Sequence, residues 1–373
     1  MKILMINTLY SPNAVGGAEV SVQLLAEELV RRGNEVRVLT LSETKEKKIK
    51  KINGVDVIYL PLINIYWPFG CAKNKMLKLI WHFIDLYNPF MAMKVGKEID
   101  IFKPDVVHTN NISGFSVSVW KKIKSKKVKL VHTTRDYYLF HPNSTMYGSS
   151  GNMSASSRTV RLWSFVKRRM SQYVDTYIGI SEYITKFHLD DEFFENAESG
   201  YIYNAVDKIN VISNQSKNLS VGFIGRLTND KGFDVFCAIA EKHIKDKTID
   251  FFAAGRFNHG EIELKNKANG SAISLLGFVP IKEFLEKVDI VILPVKWREP
   301  FGRVVAECAM AGKVVITNFV GGITEISKQL DNIYRLEDID SILLARPKSV
   351  KINDAENPFK NEKIAEQYLR YYQ

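Results

Sequence analysis

Two short stretches in the second half of the chain put charge where a ligand could use it. Gly225-Arg226-Leu227, followed by Lys231-Gly232, sets two cations beside glycines where an apolar run ends, and Glu299-Pro300-Phe301-Gly302 is followed by Glu307, eight residues after Glu299. An arginine can fork two phosphate oxygens and a lysine adds a point charge, so the first stretch suits a diphosphate. If a helix starts near Gly302, its free N–H groups also point at an anion, and Glu307 lies more than a turn inside it. Carboxylates there would repel a bare anion, so Glu299 and Glu307 must accept from hydroxyls. Taken singly, two surface cations are ordinary solvated charge, and an acidic helix start is favoured by the helix dipole. The joint pattern fits a ligand with both a diphosphate and hydroxyls, an activated sugar.

The elements that must hold these residues can be read from the apolar periodicity. Lys2 to Asn7 is a short apolar run, Ser11-Pro12 and Gly16-Gly17 break it, and Val22, Leu25, Ala26 and Leu29 recur at helical spacing until Gly33. This predicts strand, glycine loop, helix. Further strands are predicted over 35–41, 55–60, 104–108, 128–133 and 176–180. The pattern restarts with strands over 221–225, 249–253, 273–276, 290–293 and 314–317, and with helices after Gly232, Pro280 and Gly302. Such alternation predicts an α/β chain with parallel sheets covered by helices on both faces. Two doubly wound, Rossmann-like domains are expected to face each other across a cleft: residues 1–207 and 218–356, joined by a polar linker at 208–217 and followed by a helix within 357–373. Both charged stretches then fall at the carboxyl ends of strands, where open α/β sheets bind ligands.

With these motifs the chain resembles glycosyltransferase family 4, the retaining nucleotide-sugar transferases of the GT-B fold. Similar segments run from Gly16-Gly17-Ala18-Glu19 through Ile202-Tyr203-Asn204-Ala205-Val206-Asp207 to Gly277-Phe278-Val279-Pro280 and Gly321-Gly322-Ile323-Thr324-Glu325. The resemblance implies an acceptor-binding first domain, a donor-binding second domain and a C-terminal helix that returns to the first. It implies that Arg226 and Lys231 hold the diphosphate, that Glu299 and the Phe301-Gly302 backbone contact the donor sugar, and that Glu307 binds the ribose. Val279 and Arg303 complete the donor-binding set, and Gly17 lets the N-terminal loop close over the phosphates. It also implies catalysis without a metal or other cofactor, the cations and the helix N-terminus neutralising the diphosphate. The Asp338-Ile339-Asp340 tripeptide lies away from these motifs and is read as accidental. The family often shows T-L-H-D-Y-W after a strand of the first domain; here the segment is Thr133-Thr134-Arg135-Asp136-Tyr137-Tyr138. Arg135 can stabilise negative charge on a leaving phosphate but cannot cycle a proton near neutral pH. His108 and His132 are the nearby groups that could, although a histidine ending a strand is also a common core residue.

Composition sets the remaining bounds. At 373 residues the chain exceeds what one core supports, and 46% hydrophobic with 25% charged residues is the make-up of a soluble globular protein. No apolar run approaches the roughly 18 residues of a membrane span, and polar Asn7 and Thr8 interrupt the opening residues before a secretion signal develops. Cys71, Cys237 and Cys308 are too few and too scattered for a disulfide framework or a zinc site, which points to the cytoplasm. Residues 1–210 hold 29 Lys and Arg against 20 Asp and Glu, so +9 of the formal +11 lies there, in clusters at 45–51, 121–129 and 158–169. The segment 62–93 adds Tyr66, Trp67, Phe69, Trp81, Phe83, Tyr87 and Phe90 among Lys73, Lys75 and Lys78. Two accounts of that segment stand open: an interfacial surface near anionic headgroups, or a helix and loop packed on the core. The expected partners are therefore a nucleotide-sugar donor, a glycan or polyprenyl-diphosphate-linked acceptor and the anionic inner face of the membrane, with no nucleic acid. A sugar-nucleotide epimerase of the same architecture and a non-catalytic sugar-nucleotide binding protein are the alternatives. A nicotinamide enzyme is excluded, because no G-x-G-x-x-G opens either half.

Overall fold

Short apolar runs buried on both faces become the strands of two parallel sheets. The structure is a computed structural model and describes the chain except residues 14–15, 71–72, 213–215, 259–260, 348, 354 and 356. Cys71 and part of the expected linker thus lie outside the described residues. The chain divides into two units: one holds Met1–Met146, Met153–Ala205 and Asn361–Gln373, the other Tyr147–Asn152 and Val206–Lys360.

The first unit runs β1 (Lys2–Ile6), α1 (Gly17–Arg31), β2 (Glu35–Ser42), β3 (Lys48–Ile52), β4 (Val55–Pro61), α2 (Lys75–Leu86), α3 (Pro89–Phe102), β5 (Val106–Thr109), α4 (Ser118–Ser125) and β6 (Lys129–Thr134). After the hairpin β7 (Tyr147–Gly148) and β8 (Gly151–Asn152), which belongs to the second unit, come α5 (Arg158–Ser171), β9 (Thr176–Gly179), α6 (Glu182–Leu189) and β10 (Glu198–Tyr201). The sheet order is β10-β9-β6-β5-β1-β2-β4-β3, parallel throughout except for β3 against β4. Neighbours β1 and β5 mark the point where strand order reverses, so the loops after them open a crevice at the carboxyl edge.

The last helix, α13 (Asn361–Tyr372), completes this unit's core. Its Ile364, Ala365, Tyr368 and Tyr372 join Val22, Leu25, Ala26 and Leu29 of α1 and Ile3 and Met5 of β1. Two tyrosine hydroxyls reach the centre of the sheet, Tyr372 Oη lying 2.7 Å from His108 Nδ1 and Tyr368 Oη 3.2 Å from Thr133 Oγ1. The helix start is tied to α1 where Asn361 Nδ2 donates to the Leu24 carbonyl.

In the second unit β11 (Leu219–Ile224), α7 (Phe233–Lys242), β12 (Ile249–Ala254), α8 (Ile262–Gly270), β13 (Ser274–Gly277), α9 (Ile281–Leu285), β14 (Ile290–Leu293), α10 (Arg303–Met310), β15 (Val314–Thr317), α11 (Ile323–Ile326), β16 (Ile333–Arg335) and α12 (Ile339–Ala345) alternate. Their sheet order is β13-β12-β11-β14-β15-β16, all parallel, and it reverses between β11 and β14. The two charged stretches follow those two adjacent strands.

Among the described residues, no helix is long and apolar enough to cross a membrane. The buried histidines of the first unit are a liability in acid. His132 stacks on Phe194, meets the edge of Trp120, and has its Nδ1 2.9 Å from Thr109 Oγ1. Burial first, then the nearby His188, pushes its pKa from 6.5 down to about 3. At His132 the folded chain therefore binds up to one proton fewer than the unfolded chain between about pH 3 and 6.5, and the stability this site contributes above that window is lost as pH falls toward 3. Wild type should thus lose about 1.4 kcal/mol per pH unit more than His132→Phe between about pH 6 and 4, read from denaturant melts. Parallel profiles for the two proteins would contradict this.

Candidate active site

Three loops at the carboxyl edge of the second unit are tied into one structure. Between β11 and α7 lie Gly225 to Gly232; between β14 and α10 lie Pro294 to Gly302; Asn318 to Gly322 follow β15. Gly232 caps α7 with φ 78°, and a Cβ there would come within 1.8 Å of the Pro294 carbonyl oxygen, so only glycine lets these two loops touch. The Asp230 carbonyl accepts from the Lys296 amide, and Lys296 Nζ lies 2.5 Å from Asp234 Oδ2. The third loop holds the second: Gly322 N donates to the Glu299 carbonyl at 2.8 Å, and Asn318 Nδ2 to the Val295 carbonyl at 3.0 Å. A Cβ on Gly321 would lie 2.3 Å from the same Glu299 oxygen, which explains a glycine pair at this place.

On this frame the cations of the motifs are paired with carboxylates. Lys231 Nζ donates to Glu299 Oε2 at 2.6 Å and sits 4.8 Å from the centre of the Trp297 ring. Arg226 Nη2 meets Asp230 Oδ2 at 2.7 Å, and Arg303 Nε meets Glu307 Oε1 at 2.7 Å. Burial raises the Glu307 pKa, and the Arg303 charge opposes that rise. The α10 helix starts at Arg303 with Gly302 as its cap at φ 96°, leaving first-turn N–H groups directed out of the sheet edge. Phe301 is only 2% exposed, its ring packed on Phe359, so only its backbone can meet a ligand. Val279, half-buried, lies on the β13–α9 turn at the far edge of the sheet, two strands from β11. Asp340 of the Asp338-Ile339-Asp340 tripeptide sits on α12, paired with Lys242.

Partly exposed ion pairs like these contribute on the order of 1 kcal/mol or less. Charge-assisted hydrogen bonds to a diphosphate are each worth about 1.5–3 kcal/mol. An arriving diphosphate can therefore take Arg226 and Lys231 from their carboxylates, and Glu299 then becomes an acceptor for hydroxyls.

In the first unit Arg135 follows β6 and is 7% exposed. Its Nε donates to Asn110 Oδ1 at 3.0 Å and its Nη1 to Asn204 Oδ1 at 2.6 Å, which fixes the guanidinium at the carboxyl edge of the sheet. Glu19, in the first turn of α1, accepts from the Gly16 amide at 3.0 Å; its pKa is raised by burial and lowered in part by Arg135. Gly17 is the exposed first residue of that helix. His108 stands apart from this solvent edge. It is fully buried, with Nδ1 against Tyr372 and Nε2 2.8 Å from Thr133 Oγ1, and burial holds its pKa well below 6.5.

Sequence reasoning passed over Asp230, Trp297, Glu19 and Asn152. Asp230 lies inside the first charged stretch, next to Lys231, where a partner for the motif cations could have been sought, and Trp297 stands two residues before Glu299. Asn152 carried no signal.

Residues 15–208 match the model of Glycosyltransferase Family 4, and residues 218–346 match that of Glycosyl transferases group 1. The chain belongs to glycosyltransferase family 4 and is a glycosyltransferase of GT-B fold. It is 49% identical to an uncharacterized 42.6 kDa protein in the cps region of Klebsiella pneumoniae, over 100% of both chains. An uncharacterized glycosyltransferase of Methanocaldococcus jannaschii is 27% identical over 88% of this chain and 83% of its own length. Among solved structures, sucrose-phosphate synthase from Thermosynechococcus elongatus matches with a TM-score of 0.73 at 16% identity, covering 100% of this chain and 98% of that one. Anabaena HepE in complex with UDP and glucose matches at 0.69 and 17%, covering 100% and 99%.

Asn152, on the hairpin counted with the second unit, clamps the segment leading to Glu299: its Nδ2 donates to the Lys296 carbonyl at 3.0 Å and its Oδ1 accepts from the Arg298 amide at 3.1 Å. Asn152→Ala should cost about 1–3 kcal/mol of local stability there, two hydrogen bonds at 0.5–1.5 kcal/mol each. The Arg298 amide should exchange roughly 5- to 150-fold faster with deuterium while core amides of β11 and β14 stay protected. An unchanged Arg298 rate would show that the clamp is idle.

Proposed function

We propose that the chain transfers a sugar, a hexose, from a nucleotide-diphosphate sugar to a glycan or polyprenyl-diphosphate-linked acceptor, with retention of anomeric configuration. The reaction would serve a bacterial surface polysaccharide, capsule or O-antigen, at the cytoplasmic side of an anionic membrane. The observation that carries the reading is the Lys231–Glu299 pair beside the α10 N-terminus, a cation for phosphate and a carboxylate for hydroxyls within 2.6 Å. The 49% identical relative of the Klebsiella cps region supports the capsule assignment, and the UDP and glucose bound by HepE support the donor class.

In this reading the diphosphate recruits Arg226 and Lys231 and lies over the Gly302–Arg303 start of α10. Glu307, braced by Arg303, accepts from the ribose diol, while Glu299 and the Phe301–Gly302 backbone hold the sugar. Val279 lines the donor site, and Gly17 lets its loop approach the phosphates. The acceptor oxygen bonds to the anomeric carbon as the carbon–oxygen bond to phosphate breaks. The acceptor proton passes to the departing diphosphate, and no metal is needed because fixed cations and helix dipoles meet the developing charge. We assign Arg135 to that charge, since a guanidinium stabilises it without exchanging protons. His108, with both nitrogens engaged in the core, is assigned to anchoring α13 rather than to proton transfer.

Arg226→Ala and Lys231→Ala should each weaken UDP binding in calorimetry by roughly 10-fold to over 100-fold, the worth of one charge-assisted hydrogen bond of about 1.5–3 kcal/mol. Unchanged affinity in both would remove the diphosphate assignment.

Glu299→Gln should lose far more turnover than nucleotide affinity, because its contacts strengthen as the sugar becomes oxocarbenium-like. Glu307→Ala should act mainly on the donor KM, since the ribose does not react. Steady-state kinetics, with the product's anomeric configuration read by NMR, decide this. Full turnover in Glu299→Gln would rule out its proposed role.

A further inference from the structure

Helix α2 is amphipathic, but its apolar stripe faces outward. The helix attaches to the first unit through buried Trp81 and Asp85. Met76, Leu79, Ile80 and Phe83 follow one another at i, i+3, i+4 and i+7 on the opposite side and are 65%, 42%, 42% and 53% exposed. A helix on a globular surface normally turns such a stripe to the core and leaves polar residues outside. The apolar surface continues onto both neighbours. Phe83 packs against Trp163 of α5 with ring centres 5.1 Å apart, and Leu162 and Phe165 of that helix are each 67% exposed. On the other side, Tyr87 and Met93 face Lys121 and Lys122 of α4 across an open groove of about 240 Å³. An apolar surface this continuous marks an interaction site.

Charge identifies the occupant. Between Asp56 and Glu98 the only acidic residue is Asp85, which is buried. Between Asp105 and Asp175 the chain carries twelve Lys and Arg, of which Arg135 and Lys167 are buried, against the single acid Asp136. Lys75 and Lys78 of α2 and Arg158 and Arg161 of α5 are exposed, as is Lys121 of the neighbouring α4. A second copy docked about a twofold axis would bring the same cations together. Anionic headgroups complement them, and long lysine side chains can reach those headgroups while neighbouring apolar residues sink below.

We propose that this face, α2 with the start of α3 and with α5, binds an anionic lipid bilayer, α2 lying in the plane of the headgroups. The proposal specifies the membrane partner named above and rests on that reading; vesicles carrying neither donor nor acceptor test it apart from sugar transfer. In flotation, wild type should bind phosphatidylglycerol-containing vesicles, bind pure phosphatidylcholine poorly, and release as salt rises. Lys75→Ser combined with Lys78→Ser should weaken binding roughly 30-fold, at about 5-fold for each lysine. Phe83→Asp should weaken it at least about 10-fold. All these side chains are exposed, so the unfolding midpoint and UDP affinity should stay at wild-type values. Equal flotation on both vesicle types, or variants that float like wild type, would overturn the proposal. So would a wild-type dimer in sedimentation velocity that Phe83→Asp converts to monomer without any vesicle binding, which would assign the face to a second copy. Loss of flotation in the variants alongside a failed transfer assay would uphold this surface and discard only the transfer reading.

Discussion

The contact between Lys231 and Glu299 is the constraint on which the second unit's site depends. It joins the loop after β11 to the loop after β14 across the point where strand order reverses. Around it the Lys296 amide, Gly232 and the Gly321-Gly322 pair close the remaining distance between backbones. The pair also keeps each charge from standing alone in a partly buried place. Its modest worth is useful: a carboxylate that held the lysine strongly would compete with phosphate, and one that held it weakly would leave the loops free to wander.

The first unit solves a different problem. Its carboxyl edge carries a guanidinium, and the centre of its sheet carries neutral histidines, so polar groups must be satisfied deep inside. Thr133, Thr109, Tyr368 and Tyr372 meet the ring nitrogens and hydroxyls, while Asn110 and Asn204 supply neutral carbonyls to Arg135. These partners come from β5, β6, the loops after β5 and β10, and α13, which supplies both tyrosines. The guanidinium orientation therefore depends on packing across the unit, including its last helix.

Sheet architecture was legible because parallel strands buried on both faces are mainly apolar, as the runs at β1, β11, β12, β14 and β15 are, while β2, β5 and β6 carry polar residues among their apolar ones. Edge strands were not. Lys48–Ile52 reads as a charge cluster, since an edge strand facing water tolerates lysines and even benefits from them against aggregation. The Asn53-Gly54 turn that folds it back on β4 was nonetheless present as a signal, both residues having positive φ. The polar edge strand Glu198–Tyr201 and the three-residue β16 had no such marker. In the site, the cations and carboxylates were visible by type and spacing. Their pairing was not, because Asp230 and Asn152 act through geometry that only the folded loops create. The aromatic segment divided: Trp81 is core and Phe83 is surface, a distinction set by which side of one helix each occupies.

The second unit is inserted, in the order of the chain, between Ala205 and Asn361 of the first. On the ribosome, β1 and α1 are therefore made early yet wait for α13 to cover Val22, Leu25 and Ala26, while the second unit's body, Val206–Lys360, is already complete. The half that starts first must finish last, and until then it presents an open apolar seam of the kind that chaperones recognise.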